Sequence, residues 1–423
     1  MESPKEKAMH ERFLEKVVEV TNRDNAIRCV VANKGAPGID KMEVSRLEEH
    51  MLKHWEVIRA KLLEGRWTPN PVRRVTIPKP GGGERELGIP SVVDRTIQQM
   101  LLQKLQPIFE SGFSEYSYGF RPGRSAHDAV RTAQGYVKEG KTWMVDIDIS
   151  KFFDHVHHDI LICAVRQKVK DKLTLRLIAR YLRAGAMLNG VCIRSDEGTP
   201  QGGPLSPLLG NIYLDALDKE LEKRGLSFVR YADDCNIYVQ SQRAAKRVYE
   251  HITGWITKTL RLQVNERKSG IGRPWERKFL GFRITQKGEI EISPESIQHY
   301  RESVRELWSS CQSLRSVELR NRWRAFVRGW WNYYHLGKAT KYLPALDGWT
   351  RRHIRKCFWL RWHNKQGRLR RLLSLGASQN YARLASSSRG AWRIAACPIL
   401  NRALSNTRLR HHGFLVIGDF STV

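Results

Sequence analysis

Two adjacent aspartates between two β-rich apolar runs are the residues of this chain best placed to do chemistry: Phe228-Val-Arg-Tyr-Ala-Asp-Asp-Cys-Asn-Ile-Tyr-Val239. Read as a hairpin, the segment sets Asp233 and Asp234 at a tip, where a pair of carboxylates stays solvated and can bind a metal. The plain alternative is an ordinary turn, since aspartate suits turns for local reasons. A second segment shifts the balance. Thr142-Trp-Met-Val-Asp-Ile-Asp-Ile149 alternates in the manner of a half-buried strand, with Asp146 and Asp148 on one face. It delivers a third carboxylate, Asp148, just ahead of Phe152-Phe153; the plain alternative there is a strand-end salt bridge. Hard cations such as Mg²⁺ take oxygen ligands at about 2.0–2.1 Å. Two of them about 3.5–4 Å apart can activate an attacking hydroxyl and stabilise a leaving oxygen. One carboxylate from a strand and two from a neighbouring hairpin would meet that need. Asp146, two residues from Asp148 on the same face, competes for the first place.

These residues need a scaffold, and the sequence pattern predicts one. Residues 9–32 and 45–64 have helical spacing. Val72–Ile77 and Glu86–Ile89 read as strands around the turn Pro78-Lys-Pro-Gly-Gly-Gly83, a hairpin signal. Helix is expected over 91–109, with Ser91 or Asp94 as N-cap. It is expected again over most of 157–185, over 205–224 and over 243–261. Residues 227–240 give two strands joined by Asp233-Asp234. Residues 277–293 give two short strands around Lys287-Gly288. From 294 onward the pattern is helical and much more basic. The result is an α+β body over 1–293, a helical segment over 294–372 and a short basic region over 373–423. Ser293-Pro294 and Gly376-Ala-Ser mark the boundaries.

Composition limits the partners. The 423 residues hold 73 Lys+Arg against 43 Asp+Glu, a formal net charge of +30. So basic a chain implies a polyanionic partner, most often nucleic acid. No apolar run approaches the roughly 20 residues that span a bilayer, and the first residues lack the apolar stretch of a signal peptide. The seven cysteines are scattered and never spaced C-x-x-C, which argues against structural zinc and a disulfide framework. A cytoplasmic location with reduced thiols is expected. In the tail, Ile354, Phe358 and Trp362 share a helical face, so its aromatics read as core. Its arginines are too many and too unopposed for a merely solvated face; they suit phosphates and a salt-sensitive affinity.

Tyr231-Ala-Asp-Asp234 resembles the active-site box of reverse transcriptases, and Asp148-Ile-Ser-Lys-Phe-Phe-Asp154 their first catalytic motif. Pro78-Lys-Pro-Gly-Gly-Gly-Glu-Arg-Glu-Leu-Gly-Ile-Pro90, Asp94-Arg-Thr-Ile-Gln98 and Ser117-Tyr-Gly-Phe-Arg-Pro-Gly-Arg-Ser125 are similar to the blocks before it. Gly198-Thr-Pro-Gln-Gly-Gly-Pro-Leu-Ser-Pro207, Leu262-Gln-Val-Asn-Glu-Arg-Lys-Ser269 and Lys278-Phe-Leu-Gly-Phe282 complete the order. The set most resembles proteins encoded by bacterial group II introns. Ser388-Arg-Gly-Ala-Trp-Arg-Ile-Ala and Pro398-Ile-Leu-Asn-Arg-Ala-Leu-Ser-Asn406 look like the short C-terminal region of a compact class, class C. No Cys- and His-rich endonuclease module is expected.

The resemblance implies a right-hand polymerase: fingers and a palm with an antiparallel sheet, then a helical thumb or maturase domain and a small DNA-binding region. It implies two Mg²⁺ ions held by Asp148, Asp233 and Asp234 with the Ile149 carbonyl. Lys79 and Arg85 would pair with the dNTP triphosphate; Gln201 and Gly202 would approach nucleotide and template. Phe152 or Phe153 would reject a 2′-hydroxyl, the other packing the core. Lys268 would protonate pyrophosphate. Arg328, Arg351, Arg352, Arg355, Lys356, Arg368, Arg370 and Arg371 would bind nucleic acid. Expected partners are group II intron RNA, an RNA template with a DNA primer or DNA target, and dNTPs, with no membrane and with a dimer as one open option. The implied work is cDNA synthesis together with splicing and retrohoming of the intron. Two alternatives stand beside it: a splicing maturase with a dormant polymerase site, and a free-standing reverse transcriptase with a host or defence role.

Overall fold

The computed structural model describes residues 12–78, 84–188, 191–193, 197–199, 202–310, 313–338 and 342–420. The chain forms two compact units, Met1–Pro274 and Trp275–Val423.

In the first unit, β1 (Val72–Pro78) and β2 (Glu84–Ile89) form the expected hairpin, and β3 is Trp143–Asp148. β4 (Ala186–Leu188) and β5 (Val191–Ile193) extend the first hairpin into a sheet ordered β2-β1-β4-β5. β6 (Ser227–Tyr231), β7 (Asp234–Val239) and β8 (Gly270–Gly272) join β3 in a second sheet, ordered β6-β7-β3-β8 and antiparallel throughout. The buried Val145, Ile147, Phe228 and Ile237 of this sheet lie in one apolar core with residues of helices Val92–Glu110 and Ser206–Lys223. The other face of β3 stays half-open, as its alternation requires.

Several local choices follow from side chains. Ser91 caps helix Val92–Glu110, its Oγ accepting from the Asp94 N–H at 3.1 Å. Asp94 is buried, and burial pushes its carboxyl up. Donors from Ser91, Asn70, Trp67 and Tyr181 oppose that shift and tie together segments over a hundred residues apart in sequence. Of the stretch expected as helix over 9–32, residues 9–11 lie outside the described residues, and the rest forms two helices, Phe13–Val17 and Val20–Ala32, with no glycine or proline marking the break. The 157–185 stretch is likewise two, His158–Lys168 and Lys172–Arg183, with Asp171 capping the second. Helix Gln242–Trp255 runs into a π-helical turn, Ile256–Leu260.

The second unit opens on the hairpin of β9 (Phe282–Ile284) and β10 (Ile290–Ile292). Helices Pro294–Ser310, Ser316–Tyr334, Leu343–Arg361, Lys365–Ser374 and Gln379–Ser386 follow, then short turns of helix. Trp308, Trp323 and Trp359 are buried in its centre, so these aromatics are core. That core runs from Tyr300 to Ile417 without a division near 373. Among the described residues no helix is long and apolar enough to cross a membrane.

Candidate active site

Register brings the carboxylates together. β3 and β7 pair so that Asp148 lies directly across from Asp234, and Asp146 across from Asn236. β6 and β7 pair Tyr231 with Asp234, leaving Ala232-Asp233 as the turn. Asp234 is therefore the first residue of β7, and of the two only Asp233 occupies the tip. Burial of the Asp234 carboxyl, and then the charges of Asp146, Asp233 and Asp148, push its pKa up to about 8; Lys268 opposes the rise. So concentrated a group of acids is short of positive charge, and a divalent cation with oxygen preference supplies it. The donor set fits that ion. Among the described residues no three His, Cys, Asp or Glu side chains are drawn into a closed metal cage.

The loop before β8 fixes Asp148. Its N–H donates to Ser269 Oγ at 2.9 Å, and its carbonyl accepts from the Asn265 N–H at 2.8 Å. Lys268 Nζ lies 3.3 Å from Asp148 Oδ2 on a side chain 68% exposed. Ile149, buried, bridges to Val264 one step further on.

Beneath the turn lies a group that the motifs do not single out. Arg230 is fully buried, and its guanidinium forks onto both oxygens of Asp218 at 2.7 and 2.6 Å. Its other N–H groups reach Asn211 Oδ1, Ser117 Oγ and, at 2.8 Å, the carbonyl of Ala232 inside the catalytic turn. Ala232 has φ +57, so a fixed partner helps hold an unfavoured conformation. A sequence signal existed: Asp218 sits among Leu214, Leu217 and Leu221, an acid on the apolar face of its helix, and an acid there calls for a buried cation. Ser269 and Asn265 carried no such signal.

The two phenylalanines take different places. Phe152 packs in the core against Tyr213 and beside Gly210. Phe153 reaches the wall of a cavity of about 370 Å³, shared with Leu87, Arg95, Gln99, Phe120 and Gly202. Gly202 has φ +121, and a Cβ there would stand 2.6 Å from the Gly88 carbonyl of β2. Only glycine allows that approach. Lys79 and Gln201 lie outside the described residues, as does the side chain of Arg85, whose backbone pairs with Ile77.

The basic residues of the second unit divide. Arg328, Arg370 and Arg371 are exposed, and Lys356 is half-buried. Arg355 is buried and donates to the Leu404 carbonyl and Asn406 Oδ1. Arg368 lies over Trp359 and donates to the Ser388 carbonyl. Arg352 lies over Trp392, and Arg351 pairs with Asp419.

An aspartate in a tight hairpin turn, a second beside it and a third across the sheet form a carboxylate cluster chemically suited to a divalent cation. Residues 77–284 match the family described as reverse transcriptase (RNA-dependent DNA polymerase), and 297–374 match the group II intron maturase-specific domain. Protein YkfC of Escherichia coli K12 is 33% identical over 327 residues, 67% of this chain and 86% of that one. The group II intron-encoded protein LtrA of Lactococcus lactis is 38% identical over 208 residues, 48% of this chain but only 34% of that protein. A solved partial Cas6-RT-Cas1–Cas2 complex overlaps 58% of this chain and 42% of its own at 23% identity and TM-score 0.38. The chain belongs to the group II intron-encoded reverse transcriptase and maturase family. Its reaction class is RNA-directed DNA polymerisation, for which that family uses divalent metal ions.

Proposed function

We propose that this protein extends a primer on an RNA template with two Mg²⁺ ions bound by Asp148, Asp233, Asp234 and the Ile149 carbonyl. The observation that carries the reading is the Asp148–Asp234 register pair with Asp233 in the adjoining turn. When bound, the ions would favour ionisation of the primer 3′-hydroxyl and neutralise the departing pyrophosphate. The chain's own groups do the rest. Ser269 and Asn265 hold Asp148 at its backbone, and Lys268 stands beside its carboxylate as the candidate proton donor. Phe153, on the cavity wall, is the better candidate to exclude a 2′-hydroxyl, with Phe152 as its support from the core. Lys79, Arg85 and Gln201 are assigned to the triphosphate and template on family likeness alone.

The second unit would bind intron RNA, with Arg328, Arg370 and Arg371 as its exposed phosphate contacts. Splicing, retrohoming and a bacterial cytoplasmic location belong to this proposal. So does a functional division at 372/373, the last segment contacting DNA.

Primer extension on RNA with dNTPs and Mg²⁺ tests it, run beside Asp233→Ala. The wild type should extend; the variant should not, while binding structured RNA as before. If neither extends but both bind RNA, the polymerase assignment falls and the dormant maturase replaces it.

A further inference from the structure

A second cavity, of about 430 Å³, lies wholly within the second unit and outside the polymerase centre. One wall is the face of helix Leu343–Arg361 that carries Arg351, Arg352 and Arg355; the other holds Ala396, Asn401 and Asn406. Small residues make the room. A Cβ on Gly348, which also lines the cavity, would meet nothing within 4 Å.

Each guanidinium is anchored by one edge. Arg352 donates through Nε and Nη2 to the Trp392 carbonyl at 3.0 and 2.9 Å. Arg355 is held by the Leu404 carbonyl and Asn406 Oδ1, and Arg351 by Asp419. Such anchoring fixes planar cations without using all five of their donors. Asp419 is shared with Arg410, and Asp347 is the other acid acting on Arg351, so cations outnumber acids. Burial and, after it, the charge of Arg351 lower the pKa of Arg355.

The wall also has an unmet acceptor. Asn401 Oδ1 is buried without a donor, while its Nδ2 donates to the Ala396 carbonyl at 3.2 Å. Flipping the amide would set oxygen against that carbonyl, so the orientation is fixed. A ligand for this cavity must bring negative charge to the arginines and an N–H or O–H to Asn401. A free phosphate dianion brings its charge and a single O–H on the same small ion; a nucleotide brings the charge together with separate ribose and base donors, and fills more of the cavity. The volume falls in the ~300–1,000 Å³ range usual for small-ligand sites.

We propose that this cavity receives one nucleotide of a polynucleotide strand, its phosphate against Arg351, Arg352 and Arg355 and a ribose or base donor on Asn401 Oδ1. The site rests on the nucleic-acid-binding reading of the second unit. It narrows that reading from a diffuse basic surface to one built pocket.

The test is fluorescence anisotropy with the full chain and a labelled single-stranded RNA of mixed sequence, the same sequence as DNA, and a salt series. Asn401→Asp places a carboxylate where the strand should enter, with almost no change in shape. Its second oxygen replaces the Nδ2 donor to the Ala396 carbonyl, so binding is read below the variant's own melting temperature, where it should weaken at least tenfold. Arg352→Gln should flatten the salt dependence by about 0.7, the share of the slope that one single-strand phosphate supplies. Asn401→Leu removes the acceptor without adding charge. A loss on RNA alone assigns the donor to the 2′-hydroxyl; a loss on both strands assigns it to a base. If the three variants bind both strands as the wild type does, with the same salt slope, the pocket is overturned. If the wild type binds neither strand, the nucleic-acid reading of the unit falls first and the pocket with it.

Discussion

Arg230 shows how a residue that touches no substrate can govern a catalytic turn. All of its donors are used, four on side chains and one on the Ala232 carbonyl, and it is inaccessible to water. Removing it alone strands Asp218 as a buried charge, a loss of about 3–5 kcal/mol. Arg230→Met should therefore fold poorly, and that result would not separate stability from positioning. Two other variants do. Arg230→Lys keeps a charge for Asp218 but cannot fork; it should cut kcat by about 10²-fold, the scale of a displacement near 1 Å, with KM for dNTP little changed. Arg230→Met combined with Asp218→Leu removes both charges, so melting temperature should recover while primer extension does not. Recovery of both would reduce Arg230 to a stability residue.

At the scale of elements, close backbone approaches lock the sheets to their loops. A Cβ on Gly119 would stand 2.3 Å from the Ala232 nitrogen, and one on Gly202 would meet the Gly88 carbonyl of β2. Gly202→Ala should raise KM for dNTP in primer extension several-fold, because the turn must leave the hairpin that helps wall the Phe153 cavity; an unchanged KM would deny that coupling. These close approaches explain what was legible in the sequence. Strands with period-two alternation and turns rich in glycine and proline declared themselves, and with them the Asp148 and Asp233 neighbourhood. The split at Val18-Glu19 declared itself only weakly, because its β-branched neighbours Val17, Val18, Val20 and Thr21 lower helix propensity without the force of a glycine or proline. The sorting of Phe152 from Phe153 did not, since the two lie on a single turn of 3₁₀ helix where no periodicity can be read. Helix Leu343–Arg361 adds a pH effect. His353 lies between Trp349 and Trp392, and burial, then Lys356, Arg305 and Arg352, lower its pKa to about 4. The folded imidazole stays neutral while the unfolded one gains a proton below its ordinary 6.5, so its contribution is intact above 6.5 and lost as pH falls toward 4. His353→Phe should therefore flatten the fall in melting temperature between pH 6.5 and 4.5. A variant that loses stability with acid as steeply as the wild type would contradict the assignment.

For the molecule as a whole, a net charge of +30 overstates the surface offered to a polyanion. Several arginines of the second unit outside the proposed pocket work inward, donating to main-chain carbonyls: Arg361 to Leu314, Arg368 to Ser388, Arg408 to Leu375. Short helices leave many carbonyls without helical partners, and a guanidinium reaches them while keeping its charge. The sequence showed the excess of arginine but not this partition, because each carbonyl lies far along the chain from its donor. The partition separates two kinds of variant. Replacing Arg328, Arg370 and Arg371 together by Gln should leave the melting temperature within a degree or two of wild type, since exposed substitutions change stability by about 0.5 kcal/mol or less. RNA binding should weaken, and its salt slope should flatten by up to about 0.7–0.9 for each phosphate no longer neutralised. Arg361→Gln should do the reverse: it uncovers the Leu314 carbonyl, lowers the melting temperature, and leaves the salt slope of the folded protein unchanged. Measuring both quantities on both variants decides the matter. If the exposed triple variant keeps its salt slope while Arg361→Gln loses it, exposure does not mark the phosphate-binding arginines, and the inward-facing ones must turn outward when RNA binds.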